Sequence, residues 1–287
     1  MTLTSFAYAK LNLSLDIVSR MDNGYHNLKM VMQSINLCDE ITLECRKGGS
    51  GFSVVAGRPF LPRDGRNITV KAANAFYEHV GISDVHTKIQ VVKNIPVCAG
   101  MGGGSADAAC VLHMLDEMFK TNLGAETLRT IGLSVGSDVP FCVTGGTSLA
   151  QGQGEILTEL PPLPPAHFVI CKPNFSCSTP QLFSLVQCEK IRARPDTTGL
   201  VAALNSGDLG GVARRMYNVF EDILPRGRAE IEQIKGVMLD FDALGAVMTG
   251  SGPTVFGVFD NESNAHKAYE RLKVEYDDCF TTGNTTN

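Results

Sequence analysis

The chain has 287 residues, 44% hydrophobic and 19% charged, the composition of a soluble globular protein long enough for two modest domains. Its 30 acidic against 25 basic residues leave a net charge of −5, which argues against a protein held to nucleic acid by phosphate neutralisation. No run approaches the roughly 18 consecutive apolar residues that a membrane span needs and no leader-like or transit-type segment stands at the start, so a cytoplasmic protein is expected.

Along the first half, Ser5–Ile17, Ile41–Cys45 and Lys88–Val92 carry the apolar alternation of strands, and Asn67–His79 carries helical spacing. Ala108, Val111, Leu112, Leu115, Met118 and Phe119 recur at three- and four-residue spacing, which predicts a helix over Ser105–Phe119 with its apolar face on a sheet. A shorter helix is expected over Ala125–Val135, before the turn-like Gly136-Ser-Asp-Val-Pro140. Leu160-Pro-Pro-Leu-Pro-Pro165 excludes helix and central strand and reads as an extended connector, which sets the expected domain boundary between residues 1–160 and 161–287. Beyond it, Phe168–Cys171 reads as a strand, Gly210–Ile223 and Arg226–Asp240 as helices, Gly245–Phe259 as two strands around Gly250-Ser-Gly-Pro253, and Glu262–Val274 as a last helix. With no internal repeat, the pattern is that of an α+β chain. The nine cysteines form no CxxC pair and several sit in apolar runs, so they read as buried free thiols.

Lys93-Asn-Ile-Pro-Val-Cys-Ala-Gly-Met-Gly-Gly-Gly-Ser-Ala-Asp107 joins a predicted strand to the long helix, with four glycines just before the helix. Glycines let successive N–H groups converge on an anion, and the helix start adds unpaired N–H groups and a positive dipole end, so phosphate is the natural ligand. Ser105 can cap the helix or offer its hydroxyl to phosphate. No GxxxxGK[ST] string occurs, and serine stands where a dinucleotide fingerprint needs its third glycine. Taken alone, the glycine run is equally compatible with a tight strand-to-helix turn.

Lys10 and Asn12 are two apart in an apolar strand and point to one face, a costly placement unless both have partners; a sheet edge with the ammonium in solvent is the plain alternative. Asp138, in a small-residue turn between apolar segments, is the most site-like acid, though capping is the common fate of such an aspartate. Phosphoryl transfer to an alcohol needs a group that takes or orients the hydroxyl proton and cations against developing phosphate charge, which an Asp–Lys pair supplies. A nucleotide triphosphate implies a divalent ion, most simply Mg2+, and no dedicated protein cage for it is evident. In the turn Asp22-Asn-Gly-Tyr-His-Asn27, Tyr25 and His26 can stack on and hydrogen-bond a planar base, or simply close a hairpin. The other histidines lack metal-like spacing.

Pro96-Val-Cys-Ala-Gly-Met-Gly-Gly-Gly-Ser105, Ala9-Lys-Leu-Asn12 and Met248-Thr-Gly-Ser-Gly-Pro253 together resemble the motifs of GHMP kinases. More narrowly, Ala9-Lys-Leu-Asn-Leu13, Asp22-Asn-Gly-Tyr-His26, Gly136-Ser-Asp-Val-Pro140 and Gly152-Gln-Gly-Glu-Ile156 resemble the subgroup that phosphorylates the 2-hydroxyl of a cytidine diphosphate-linked methylerythritol in non-mevalonate isoprenoid synthesis. The resemblance covers nearly the whole chain, in order. It implies a two-domain α+β architecture, with an N-terminal domain like ribosomal protein S5 domain 2 and a ferredoxin-like C-terminal domain, and ATP with Mg2+ as cofactors. By motif match it makes Lys10 and Asp138 the catalytic pair. It makes Pro96, Val97, Cys98, Ala99, Gly100, Met101, Gly102, Gly103, Gly104, Ser105 and Ala106 the ATP loop, with Asn67 and Lys93 near the nucleotide. It also implies that Tyr25 and Phe183 sandwich cytosine, that His26 reads the base's polar edge and that Asn12 helps place the substrate. The implied partner is that small molecule, with no nucleic acid or membrane, and the implied state is a monomer or weak homodimer. Met101 stands where leucine is common and Ala106 where a second serine often follows Ser105, and the chain looks short after Phe280.

Overall fold

The computed structural model describes residues 1–285. Its chain divides into two compact units, each assembled from several stretches.

The first unit comprises Met1–Ala9, Leu37–Val97 and Gly102–Gly145. Two long strands, β1 (Thr2–Arg20) and β2 (His26–Lys47), give it only the start of β1 and the end of β2. After β3 (Gly51–Ala56) comes β4 (Val85–Val92), which lies parallel to β3 and antiparallel to the end of β2, with Glu40 opposite Val92. Helices α1 (Ile68–Val80), α2 (Gly103–Phe119), α3 (Gly124–Val135) and α4 (Val139–Thr144) share a core with this sheet. Alternation in β4 buries Thr87, Ile89 and Val91 on one face, and there Ile89 and Val91 share a core with the apolar stripe of α2 and Phe76 of α1. The predicted helix at Ser105 begins two residues earlier, at Gly103.

The second unit comprises Lys10–Asn36, Cys98–Met101 and the chain from Gly146 onward. The start of β2 pairs antiparallel with β5 (Thr147–Gly152), which pairs with β6 (Ile156–Glu159). The proline-rich connector follows β6 as expected and is tied to Thr147, whose carbonyl accepts from Leu160 N at 2.9 Å and whose hydroxyl accepts from Leu163 N at 3.2 Å. It lies inside this unit. After β7 (His167–Cys171), the chain forms α5 (Thr179–Leu185), α6 (Thr197–Asn205), α7 (Leu209–Ala213), β8 (Tyr217–Asn218), α8 (Phe220–Ile223), α9 (Arg228–Asp240), β9 (Gly245–Met248), β10 (Val255–Phe259), α10 (Glu262–Lys273) and β11 (Cys279–Gly283). An antiparallel sheet in the order β11-β7-β10-β9 carries α9 and α10, so β7-α9-β9-β10-α10-β11 is the split βαβ pattern of ferredoxin-like domains. Ile231, Ile234 and Met238 of α9 and Ala265, Ala268 and Leu272 of α10 are buried.

Three expectations are corrected. Gly210–Ile223 is two short helices around β8, because Tyr217 and Asn218 leave the helical path to pair with Ser14 and Leu15 of β1; Gly210-Gly211 also weakens a continuous helix there. The chain does carry a last strand, β11. All nine cysteines are free, but only Cys45, Cys110, Cys171 and Cys279 are buried, and Cys98 is exposed at the glycine loop.

Candidate active site

Within the first unit, α2 starts on Gly102, whose backbone is left-handed at φ 66° and whose carbonyl accepts Ala106 N at 2.8 Å. The first turn has no side-chain cap and no acid, so the N–H groups of Gly103, Gly104 and Ser105 lie at a partly open, positive helix end. This fits a phosphate group. Ala106 is buried in the core under α2, so the site is lined at that point by backbone.

The strand-to-loop junction is fixed by charge. Lys93 Nζ donates to Asp39 and, at 2.8 Å, to Asp107 Oδ2, while Asp39 Oδ1 accepts from Asn94 N at 2.6 Å and Ile95 N at 2.8 Å. Burial drives the Asp107 carboxyl up to about 7 despite the nearby ammonium, with the Asp39 charge adding to the rise. Lys93 is desolvated too, but the two carboxylates outweigh that and raise its pKa. One cation shared by two buried carboxylates favours keeping a proton on Asp107, which spares the helix start a negative charge. Asn67 is used locally: its Oδ1 accepts from Thr69 N at 3.0 Å and caps α1, while its Nδ2 donates to Pro62 O at 2.7 Å.

Asp138 precedes α4 with its backbone already helical (φ −86°, ψ −11°), and its side chain makes no capping bond. The common structural use of such an aspartate is therefore not the use of this one. The side chain is half-buried.

Within the second unit, Lys10 and Asn12 do face one way. Both are buried, and Lys10 Nζ donates to Asn12 Oδ1 at 2.7 Å. The Lys10 backbone N–H donates to Met101 O at 3.0 Å, which joins β1 to the first part of the glycine loop, Cys98–Met101. Gly100 lies so close to the 248–253 turn that a Cβ on it would stand 2.3 Å from Thr249 O, and its φ of +75° also favours glycine. Thr249 Oγ1 accepts from Asn12 N at 3.0 Å and lies 3.4 Å from Gly100 O.

Tyr25 is 61% exposed at the tip between β1 and β2. His26, not Tyr25, stacks on Phe183, with ring centroids 5.2 Å apart and planes 25° from parallel, and Phe220 meets Phe183 edge-on at 5.1 Å. Burial, and then the charge of Arg20, lowers the His26 pKa, so its imidazole is neutral at pH 7. Beside this tip lies an open cavity of about 740 Å³ lined by Arg20, Asp22, Asn23, Gly152 and Glu155, so two of the sequence strings, Asp22–His26 and Gly152–Ile156, border one space.

Sequence reasoning missed Asp39, Asp107, Asn218, Glu221 and Thr249 as individual contributors. Each acts on a backbone or side chain well removed along the chain, and only Asp107 and Thr249 lay in noted strings. Among the described residues, no group of three or more His, Cys, Asp or Glu is placed to hold a metal ion, and no helix is long and apolar enough to cross a membrane.

Residues 67–146 match the GHMP kinases N terminal domain and residues 200–278 the GHMP kinases C terminal domain. The chain is similar to a 4-diphosphocytidyl-2-C-methyl-D-erythritol kinase of Acetivibrio thermocellus, 42% identical over 276 residues and covering 96% of each chain. Among solved structures it is similar to a 4-(cytidine 5'-diphospho)-2C-methyl-D-erythritol kinase, with a TM-score of 0.82 and 28% identity over 99% of this chain and 100% of that one. A homoserine kinase from Cytophaga hutchinsonii, at TM-score 0.76 and 20% identity over 99% and 94% of the two chains, shares the fold. The architecture is the two-domain α+β fold of GHMP kinases, and the family implies ATP use. The chain belongs to the GHMP kinases, in the family of the 4-diphosphocytidyl-2-C-methyl-D-erythritol kinases.

Proposed function

We propose that the chain transfers the γ-phosphoryl group of ATP to the 2-hydroxyl of 4-diphosphocytidyl-2-C-methyl-D-erythritol in the non-mevalonate route to isoprenoid precursors. The observation that carries this reading is the 42% identity with a kinase of that name across 96% of both chains. The uncapped, acid-free start of α2 and the buried Lys10–Asn12 pair are the chemistry such a reaction needs.

ATP supplies the phosphoryl group, and Mg2+ carried on its phosphates supplies counter-charge. The N–H groups of Gly103–Ser105 bind the phosphates, the rest of Pro96–Ala106 closes around them, and Asn67 and Lys93 border the nucleotide. Asp138 takes the proton of the substrate hydroxyl as its oxygen bonds to the γ-phosphorus, the bond from that phosphorus to the β-phosphate oxygen breaks with its electron pair leaving on ADP, and the carboxyl later releases its proton to water. The Lys10 ammonium stabilises charge on the reacting oxygens. Tyr25 and Phe183 hold the cytosine ring, neutral His26 bonds its polar edge, and Asn12 orients the methylerythritol. In the structure His26 covers one face of Phe183, so on this reading the imidazole shifts as the base arrives. The functional division at residues 160/161 is supported by the two family matches falling on either side of it. The net charge of −5 argues against a nucleic-acid partner, and on this reading the enzyme is cytoplasmic, works without a membrane partner and is a monomer or weak homodimer.

A coupled assay of ADP release with 4-diphosphocytidyl-2-C-methyl-D-erythritol, homoserine and mevalonate tests the reading. Turnover of the first alone is expected. Turnover only of homoserine or mevalonate, or binding of ATP and substrate without phosphoryl transfer, overturns it.

A further inference from the structure

The Lys10–Asn12 pair is held by Thr249, and Thr249 is itself held from behind. Asn218, on the two-residue strand β8 beside β1, is buried, and both of its amide donors and its oxygen are engaged. Its Nδ2 donates to Met248 O at 2.7 Å and to Gly250 O at 2.8 Å, the carbonyls on either side of Thr249, and its Oδ1 accepts from Phe220 N at 3.0 Å. Three residues on, Glu221 Oε1 accepts from Met248 N at 2.7 Å, and its other oxygen accepts from Lys235 Nζ at 2.7 Å. Two side chains from one Asn-x-x-Glu string thus occupy both backbone groups of Met248 and the carbonyl of Gly250. That fixes the direction of the Thr249 hydroxyl, which accepts Asn12 N at 3.0 Å and stands 3.5 Å from Asn12 Oδ1, the atom that receives the Lys10 ammonium.

We infer that Asn218 and Glu221 are positioning residues of the kinase site: they clamp the Met248–Gly250 turn so that Thr249 holds Asn12, and through it Lys10, in place. The clamp acts wholly through backbone, so it tolerates no exchange of donors for acceptors. A turn free to move by about 1 Å would lose the alignment of the ammonium, a displacement that can cost about a hundredfold in rate. The catalytic role of Lys10 rests on the proposed kinase function, so the test includes a measurement that needs no turnover.

Asn218→Asp is nearly isosteric but turns both donors into a carboxylate oxygen facing two carbonyls. It is expected to lower kcat about a hundredfold while KM for ATP stays within about threefold. Without substrate, the rate at which acetic anhydride acylates Lys10, read by peptide mass spectrometry, should rise relative to wild type as the buried ammonium loosens. Glu221→Leu should lower kcat as well, and Glu221→Gln, which still accepts from Met248 N, should recover most of that loss. Thr249→Val, which removes only the hydroxyl, serves if Asn218→Asp does not fold, and is expected to lower kcat at least about tenfold. Lys10 acylation at the wild-type rate in both Asn218→Asp and Thr249→Val overturns the inference, and so does a loss of kcat that only tracks the loss of folded protein. Absence of wild-type turnover would overturn the kinase reading instead, leaving the acylation comparison to decide the clamp.

Discussion

Lys93 donates to Asp107 Oδ2 at 2.8 Å, and both side chains are at most 7% exposed. The same ammonium serves Asp39, so a single cation answers two buried carboxylates at the point where β4 runs into the glycine loop. Removing charge from the two acids has opposite consequences.

Asp107 has its carboxyl raised to about 7 by burial, whereas an unfolded aspartate titrates at 3.8. The folded chain therefore holds a proton that the unfolded chain has already released. Stability contributed by this group falls as pH rises from about 4 to about 7 and then levels. Asp107→Asn removes the effect. The difference in Tm between the variant and wild type should grow in the variant's favour across that window and reach roughly 2 °C or more at pH 8. Calorimetric melts from pH 4 to pH 8 check it, and a constant difference would contradict it.

Asp39→Ala removes a carboxylate that holds Lys93 and two backbone N–H groups of the loop. Breaking one partner of a buried ion pair costs about 3–5 kcal/mol. Urea denaturation should show that loss, and titration with a non-hydrolysable ATP analogue should show weaker binding by the remaining folded protein.

Gly100 and Gly104 should respond differently to alanine. At Gly100 the Cβ would stand 2.3 Å from Thr249 O with φ at +75°, so Gly100→Ala is expected to lower stability by about 3 kcal/mol or more. At Gly104 the nearest atom would be Ile68 Cγ2 at 3.6 Å, and the position is helical, so alanine should preserve Tm or raise it slightly. KM for ATP should nevertheless rise in Gly104→Ala, because the new methyl stands at the proposed phosphate site. Melts and steady-state kinetics on the two variants separate packing from binding.

Asp138→Asn is expected to lower kcat by at least about a hundredfold while calorimetry still detects ATP binding. Lys10→Met should do likewise. Turnover close to wild type in either variant would remove that residue from the proposed catalytic pair.

Phe183→Ala should raise KM for the cytidine substrate with little change in KM for ATP. The His26 pKa lies below the ordinary imidazole value of 6.5, because burial and Arg20 disfavour the charged ring. Substrate affinity should therefore be flat around pH 7 and weaken only at pH below 6.5, as the ring gains a proton and loses its acceptor nitrogen. A His26→Gln variant should not show that acid limb in a pH profile of KM.

The sequence was most legible where the physics is local. The three- and four-residue spacing from Ala108 to Phe119 predicted α2 to within two residues, since an amphipathic stripe is a property of adjacent turns. The two-residue spacing of Lys10 and Asn12 likewise implied a shared face, and the side chains meet at 2.7 Å. It was least legible at Gly210–Ile223, where helical composition yields to pairing of Tyr217 and Asn218 with β1, at the other end of the chain. Local preference is worth tenths of a kcal/mol per residue and gives way to such tertiary hydrogen bonds.

By itself, the sequence determined the α+β class, the helix behind the glycine loop, the shared face of Lys10 and Asn12 on one strand and, through its motif strings, the family. Only the tertiary structure decided how those groups are held. Asp39 reaches Asn94 and Ile95, and Asn218 and Glu221 reach Met248 and Gly250, by hydrogen bonds between residues far apart in the chain. No periodicity records such contacts, because a buried carboxylate or amide finds its partners through the path of the whole backbone rather than through its neighbours in sequence.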